Sequence, residues 1–444
     1  MNIKKIVLLT GLSLISTSTY AANWLSLQGT EKPGSSARAK VWGFIQPEYQ
    51  QTDGTKLPAG TPFAGQNMSP NMIKPDNKSN ESFNIRRARV GVRGTGFPLD
   101  DKVNYFFLAE FGHNGITKLG KTGVALTDAS ITLNHIPGAR IRVGQFKTPT
   151  SEEGLQAIHV FNYVNFTSMT DQMMLERFTD GDGSDGDGKP ASVNTTTNPN
   201  GPNGSVGAFR DQGIQVFDTF KVNDWEHSYA VMYGNGNGIN RTDNDNNKDS
   251  YLYWSSELVF GGKGARREGL KMFAWNQDGT RTLTTSGAGE YDRTRNGLGF
   301  TLLKGKYRAA AEYMTADGMI FNGSDAGAVP GATNNAGDNI STINVLTDDK
   351  SDGYYLDFGY KVLPKLELDI RYDVLNRATE TVNGERVFDT VTLGAQYFFN
   401  KKTRVTFNYE IRNQDAPGFT DTQAPNLIAD NLDDRLSLQL LAIF

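Results

Sequence analysis

The stretch "DDRLSLQLLAIF", residues 433–444, sets the fold. Leu436, Leu438, Leu440, Ala442 and Phe444 share one parity, and Arg435, Ser437 and Gln439 share the other. Successive side chains of a strand point to opposite faces, so this segment is a strand with one apolar and one polar face. The pattern recurs. In "ESFNIRRARVGVRG" (81–94), Ala88, Val90 and Val92 oppose Arg87, Arg89, Gly91 and Arg93. "KVNYFFLAEFG" (102–112), "LELDIRYDV" (366–374) and "TRVTFNYEIRN" (403–413) alternate in the same way, and their polar faces carry charge.

The connections alternate too. Short turns fall at "GFPLDD", "HIPGA", "KVND", "GGKGA", "LLKGK", "KVLPK" and "FFNKK". Between them lie longer polar loops near 51–81, 113–123, 150–208, 234–249, 277–289, 316–351, 376–385 and 413–433. Counting between these marks gives sixteen strands, starting near Arg38 and ending at Phe444. A soluble β-sandwich also alternates, but it gives no reason for short and long connections to rotate strictly. Sixteen long strands would also overfill one soluble core. Aromatic residues gather near strand ends, as in "WGF" (42–44), "NYFF" (104–107), "GYY" (353–355) and "QYFF" (396–399), as in the girdles of membrane barrels. The expected fold is all-β: a 16-stranded antiparallel transmembrane β-barrel.

Composition agrees. The chain has 444 residues, abundant Gly (48) and 25 Phe, 17 Tyr and 5 Trp, a mixture that favours strands and turns. Mean hydropathy is −0.48, and the apolar residues are dispersed at every second position rather than gathered in one long segment. There is no Cys, which excludes disulfides and Cys-ligated metals. The net charge of −4 argues against nucleic-acid binding. The four histidines, His113, His135, His159 and His227, show no metal spacing, and no hydrolase or phosphate-loop motif appears, so neither an enzyme nor a cofactor is expected.

The start of the chain suggests export. "MNIKK" is basic, "IVLLTGLSLI" (6–15) is apolar, and Thr19 and Ala21 occupy the small-residue positions of a cleavage site. Residues 1–21 therefore read as a signal peptide. A membrane anchor is the alternative, but ten apolar residues fall short of the roughly 20 needed to span a bilayer. Residues 22–37 form a short N-terminal segment, too short for a plug domain, and 38–444 the barrel.

In a membrane barrel the apolar parity faces lipid, because a Lys or Arg at the lipid midplane costs about 2–4 kcal/mol. The charged parity then lines the lumen. The candidate pore-lining and anion-binding residues are Arg87, Arg89 and Arg93 on the second strand, and Arg140, Arg142 and Lys147 on the fifth. Arginine's planar fork matches phosphate oxygens. Alternatively, these cations pair with lumenal carboxylates such as Glu110 and Asp128 and merely brace the wall. Arg86 and Lys147 lie off the parity of their neighbours, so a bulge or a strand end must place them. The thirteenth strand is mixed, with Glu367, Asp369 and Asp373 beside Arg371. Asp243, Asp245, Asn247 and Asp249 alternate as in a calcium loop, but position 12 counted from Asp243 is Trp254, not the expected Glu. These are weak calcium candidates, like the run "TDGDGSDGDGK" (179–189), and plain solvated loops are the other reading.

Three segments carry a family resemblance: "FNIRRARVGVRG" (83–94), "ARIRVGQFKTPTSEEGL" (139–155) and "SYAVMYGNGNGINRTDNDNNKDS" (228–250). They resemble the Arg-rich second strand, the Gly-Gln-Phe-Lys strand and the Asn-Gly loop of the phosphate-selective porin O/P family. The resemblance implies a bacterial outer-membrane porin, usually a homotrimer, set in lipid and lipopolysaccharide, that passes small anions such as phosphate. It also implies an inward-folded third loop, here 150–208, whose first part (151–178) is apolar and aromatic. That loop could instead lie on top of the barrel or touch a trimer partner. A terminal Phe is, by the same resemblance, the mark read by the barrel-insertion machinery. Two rival functions stay open: a general porin without phosphate selectivity, and a surface structural or adhesion barrel whose long loops bind a partner.

Overall fold

The computed structural model describes residues 23–27, 39–52, 59–60, 64–65, 81–96, 100–114, 116–117, 123–175, 209–240, 243, 245–262, 266–283, 289–323, 343–430 and 433–444. The proposed signal peptide and the 179–189 run lie outside these residues. Sixteen strands close a barrel. They are β1 (Lys40–Thr52), β2 (Glu81–Thr95), β3 (Val103–Glu110), β4 (Ala125–Leu133), β5 (Arg140–Lys147), β6 (Arg210–Val222), β7 (Trp225–Gly234), β8 (Asp249–Gly261), β9 (Glu268–Leu283), β10 (Gly289–Lys304) and β11 (Tyr307–Asp317), then β14 (Lys350–Leu363), β15 (Leu366–Arg377), β16 (Arg386–Asn400), β17 (Thr403–Asp415) and β18 (Arg435–Ile443). Each pairs antiparallel with its chain neighbour, and β1 pairs with β18 to close the ring. A separate two-stranded hairpin, β12 (Ile320–Gly323) with β13 (Ile343–Leu346), lies in the connection between β11 and β14.

Closure satisfies every strand edge, as hydrocarbon demands of a spanning sheet. The faces follow parity. Large apolar side chains are exposed outside, among them Val90, Phe107, Ile131, Val143, Leu298, Ile370, Ile411 and Leu438. The opposite parity is buried and polar, including Arg87, Arg89, Glu110, Glu367, Asp369, Arg371, Ser437 and Gln439. Among the described residues no helix is long and apolar enough to cross a membrane.

One irregularity answers the parity of Arg86. Gln46 pairs with Arg87 and Pro47 pairs with Ile85, so Arg86 is the extra residue of a bulge. Pro47 has no N–H for the ladder, which makes this the tolerated place for a bulge. Arg86 and Arg87 are consequently both buried, while Phe83 and Ile85 remain exposed outside.

The structure corrects several boundaries. The segment 277–283, expected in a loop, continues β9 and pairs with Gly289–Arg295. Residues 277–282 carry no apolar side chain on either parity, so the alternation stops while the backbone ladder runs on. The long connections also carry structure of their own: the β12–β13 hairpin, and α3 (Ala424–Ala429), which has Pro425 in its first turn. Trp42, Phe44, Phe106 and Tyr355 are not girdle residues. They share the buried parity and face the interior, whereas Phe107, Tyr354, Tyr397 and Phe399 lie outside.

Candidate functional site

On β2, Arg89 Nε donates to Glu110 Oε2 at 2.7 Å. Glu110 also accepts from the backbone of Ala88 (2.9 Å) and Gly112 (2.8 Å), so its charge is fully engaged. Arg87 Nη1 donates to Gln46 Oε1 at 3.2 Å. Arg86 Nη1 donates to Glu48 Oε2 at 3.1 Å and to Asn165 Oδ1 at 2.8 Å.

On β5, Arg140 meets Asp218 at 3.3 Å and is the most exposed of this pair of arginines. Arg142 is buried against the Phe217 ring at 4.5 Å and donates to Thr132 Oγ1 and to the backbone oxygen of Leu25. Gly144 has φ +128°, and a Cβ there would lie 2.1 Å from the Ala129 carbonyl oxygen, so only glycine fits. Beyond it Lys147 turns to the loop and donates to the backbone oxygens of Gly154 (2.8 Å) and Gln156 (2.5 Å).

Asp128 does not hold any of the six predicted cations. Its partner is Arg210, at 2.9 Å from Nη2 and 3.2 Å from Nε. Sequence reading missed Arg210 because it follows the longest loop, and only the register that sets it opposite Lys147 brings it here.

These groups meet in a cavity of about 200 Å³. Arg89, Arg93, Lys147 and Arg210 line it, with Asp128 as its one carboxylate among the described residues. Trp24, Trp42, Phe44, Phe106, Leu108 and Ile158 supply apolar wall. His159 lies among them, 5.2 Å from the Phe44 ring and 5.7 Å from that of Trp42. Burial, and then the fields of Lys147, Arg404, Arg89 and Arg93, push its pKa down to about 3, so it stays neutral. Arg87, Arg140 and Arg142 do not line this cavity.

A second cavity of about 110 Å³ has mixed charge. Its charges are paired: Lys271 with Glu152 (2.6 Å), Arg371 with Glu153 (3.0 Å), and Arg267 with Glu257 (3.3 Å). Arg308 binds Glu367 at 3.0 Å and also contacts Asp357 and Asp369, which offsets the acidic face of β15. Trp24 borders both cavities. It belongs to a short helix, α1 (Trp24–Leu27), whose place inside the barrel had no signal in the sequence beyond its buried Trp and Leu.

The segment 148–175 after β5 bonds to several strands. It contains α2 (Glu152–Leu155), capped by Ser151, whose side chain accepts from Gly154 N. Glu152 N donates to Glu312 of β11 at 3.1 Å, and Ser168 N to Asp373 of β15 at 3.0 Å. Val164 N donates to Asn408 of β17 at 2.7 Å, and Arg404 of β17 donates to the Phe161 oxygen at 2.7 Å. Asn165 joins Gln50 of β1 to Glu410 of β17.

The alternating acidic run does not converge. Asp243 pairs with Lys248, Asp245 accepts from the backbone of Asn247 and Thr282, and Asn247 donates to Thr282. Asp249 is held by Arg281 at 2.7 Å and by Gln277 at 2.7 Å. Among the described residues no three acidic or histidine side chains group as metal ligands.

A model of the phosphate-selective porin O and P family matches residues 70–423, well over half of the chain. The chain belongs to the phosphate-selective porin O and P family. This porin is therefore a channel of the bacterial outer membrane. Its barrel resembles Salmonella typhi OmpF, solved in complex with daunomycin, with a TM-score of 0.55 at 13% identity over 91% of this chain and 97% of that one. It also resembles the outer-membrane channel DcaP of Acinetobacter baumannii, with a TM-score of 0.50 at 13% identity over 94% and 100%. The loop L8 deletion mutant of Vibrio cholerae OmpT gives 0.50 at 12% identity over 91% and 99%. At these identities the porin shares the fold with them and nothing finer. No curated protein matches its sequence.

Proposed function

We propose that this porin conducts small anions, phosphate among them, passively across the outer membrane. The observation that carries the reading is the cavity lined by Arg89, Arg93, Lys147 and Arg210, where Asp128 is the one lining carboxylate among the described residues and Glu110 pairs with Arg89. Fixed positive charge along a lumen replaces part of an anion's hydration and rejects cations. Arg87, Arg140 and Arg142 lie on the same two strands but outside this cavity, with Arg140 held by Asp218. No energy source enters, so flux follows the gradient.

The third loop is read as folded inward, so that it constricts the pore. The hydrogen bonds of 148–175 to β1, β11, β15 and β17 support this, since a loop lying above the barrel would not reach all four. Residues 1–21 are read as a cleaved signal peptide, and a mature chain starting at Ala22 by mass spectrometry tests it. The homotrimer and its setting in lipid and lipopolysaccharide are what membership of this family leads us to expect, and cross-linking in native membranes tests the assembly.

The experiment for function is a planar-bilayer recording in a salt gradient. A reversal potential favouring anions, weakened in Arg93→Glu, supports the proposal, and one favouring cations refutes it. The second reading, a general porin, draws on the acidic face of β15. It requires near-equal chloride and potassium permeability and no effect of phosphate on chloride current.

A further inference from the structure

The basic cavity has more apolar wall than a bare phosphate needs. Phosphate is hydrated on every side, and a site for it alone gains nothing from buried rings. Here Trp42 and Phe106 stand 5.9 Å apart, Trp42 and Phe44 6.2 Å apart, and Leu108 and Ile158 complete the wall. All three rings sit on the inward parity of their strands, where a polar side chain would be the ordinary choice for a water-filled pore. The cations lie against this wall: Arg89 Cζ is 5.8 Å from the Phe44 ring centre.

Size agrees. An apolar cavity of roughly 150 Å³ holds benzene, and this one is about 200 Å³. It has room for one ring and a charged group, and the two kinds of wall are adjacent. A ring-bearing anion would bury its ring against Trp42, Phe44 and Phe106 and direct its charge to Arg89, Arg93, Lys147 and Arg210. Binding sites for small molecules combine in this way an apolar lining with a few convergent polar groups.

We propose that the cavity selects anions carrying a single aromatic ring, such as an aromatic carboxylate, over small anions without one. The proposal rests on the anion-channel reading above and deepens it. It involves no chemistry, only transient binding along the diffusion path.

The test uses the full chain in planar bilayers, with benzoate, acetate and phosphate added separately against a chloride current. Benzoate is expected to halve the single-channel chloride current at a concentration at least tenfold below that of acetate or phosphate. Phe106→Leu and Trp42→Leu should each reduce that ratio to below threefold. For variants that fail to insert, intrinsic fluorescence of the unmutated protein in detergent supplies a second readout, since Trp24 and Trp42 line the cavity. Benzoate should perturb it at least tenfold more potently than acetate. Equal potency of benzoate and acetate in both assays overturns the proposal while leaving the anion channel intact. A benzoate preference that survives both substitutions places the site elsewhere and also overturns it. A cation-selective reversal potential removes the anion channel and this inference together.

Discussion

Gly43 and Phe444 exchange two backbone hydrogen bonds, at 3.2 Å and 3.0 Å, and so join the first strand to the last residue. The contact is tight: a Cβ at Gly43 would lie 2.4 Å from the Phe444 ring and 2.4 Å from the Arg89 carbonyl oxygen. The ring can move, but the Arg89 backbone, fixed in its ladder, cannot. Gly43→Ala should therefore destabilise the barrel by about 1–3 kcal/mol, the usual cost of overpacking. Deleting Phe444 should lower the yield of folded barrel. A guanidinium midpoint for Gly43→Ala in micelles equal to that of the unmutated protein would show that the seam has slack.

Trp24 ties the N-terminal segment to the loop. Its Nε1 donates to Glu152 Oε1 at 2.8 Å, and the ring borders both cavities. Trp24→Phe keeps an aromatic ring but loses the indole N–H and its hydrogen bond to a carboxylate, so it should cost at least about 1.5–3 kcal/mol. Trp24→Ala removes the wall between the cavities and should cost about 3–5 kcal/mol. It should also raise single-channel conductance. Unchanged conductance in Trp24→Ala would mean that the permeation path avoids this partition.

Much of the barrel was legible because its solvents are separated by parity. Once Leu436, Leu438 and Leu440 must meet lipid, Arg435, Ser437 and Gln439 must face inward, and the same logic orders β2, β3, β15 and β17. The off-parity Arg86 even marked its own bulge, because Pro47 opposite cannot serve the ladder. The site was less legible, because parity assigns faces and not neighbours. Glu110 and Arg89 lie on adjacent strands and could be matched, but Arg210 reaches Asp128 only through a register set across the longest loop. Trp42 and Phe44 misled for a related reason. Aromatics near a strand end suit a girdle, and only their shared parity with Gln46 and Glu48 showed that they turn inward.

His159 makes stability depend on pH. Its folded pKa of about 3 lies below the ordinary value of about 6.5. Between those values the unfolded chain binds a proton that the folded chain refuses. The contribution is thus fully present above about pH 6.5 and is lost as pH falls towards 3, by about 1.4 kcal/mol per pH unit. His159→Gln should flatten that slope in guanidinium midpoints measured between pH 7 and 4. The cations whose fields act on it are Lys147, Arg404, Arg89 and Arg93. An identical slope in His159→Gln would assign the pH dependence to carboxylates instead.

Asp128 is the sharpest probe of selectivity, because among the described residues it is the one carboxylate that lines the cavity of Arg89, Arg93, Lys147 and Arg210. Asp128→Asn keeps the shape and a hydrogen-bond acceptor for Arg210 but adds one unit of net positive charge. The fold should tolerate it at about 1–3 kcal/mol, since Arg210 keeps a neutral partner. The reversal potential should move towards anions. Arg210→Gln removes a cation and should move it the other way. Screening sets where the effect is visible. At about 0.1 M salt the Debye length is about 10 Å, long enough for the cavity charge to act on a passing ion, whereas at 1 M it is about 3 Å. The two variants should therefore diverge most in dilute salt and converge in concentrated salt. If their reversal potentials coincide at about 0.1 M, ions do not pass within reach of this cavity, and the selectivity proposed for it fails.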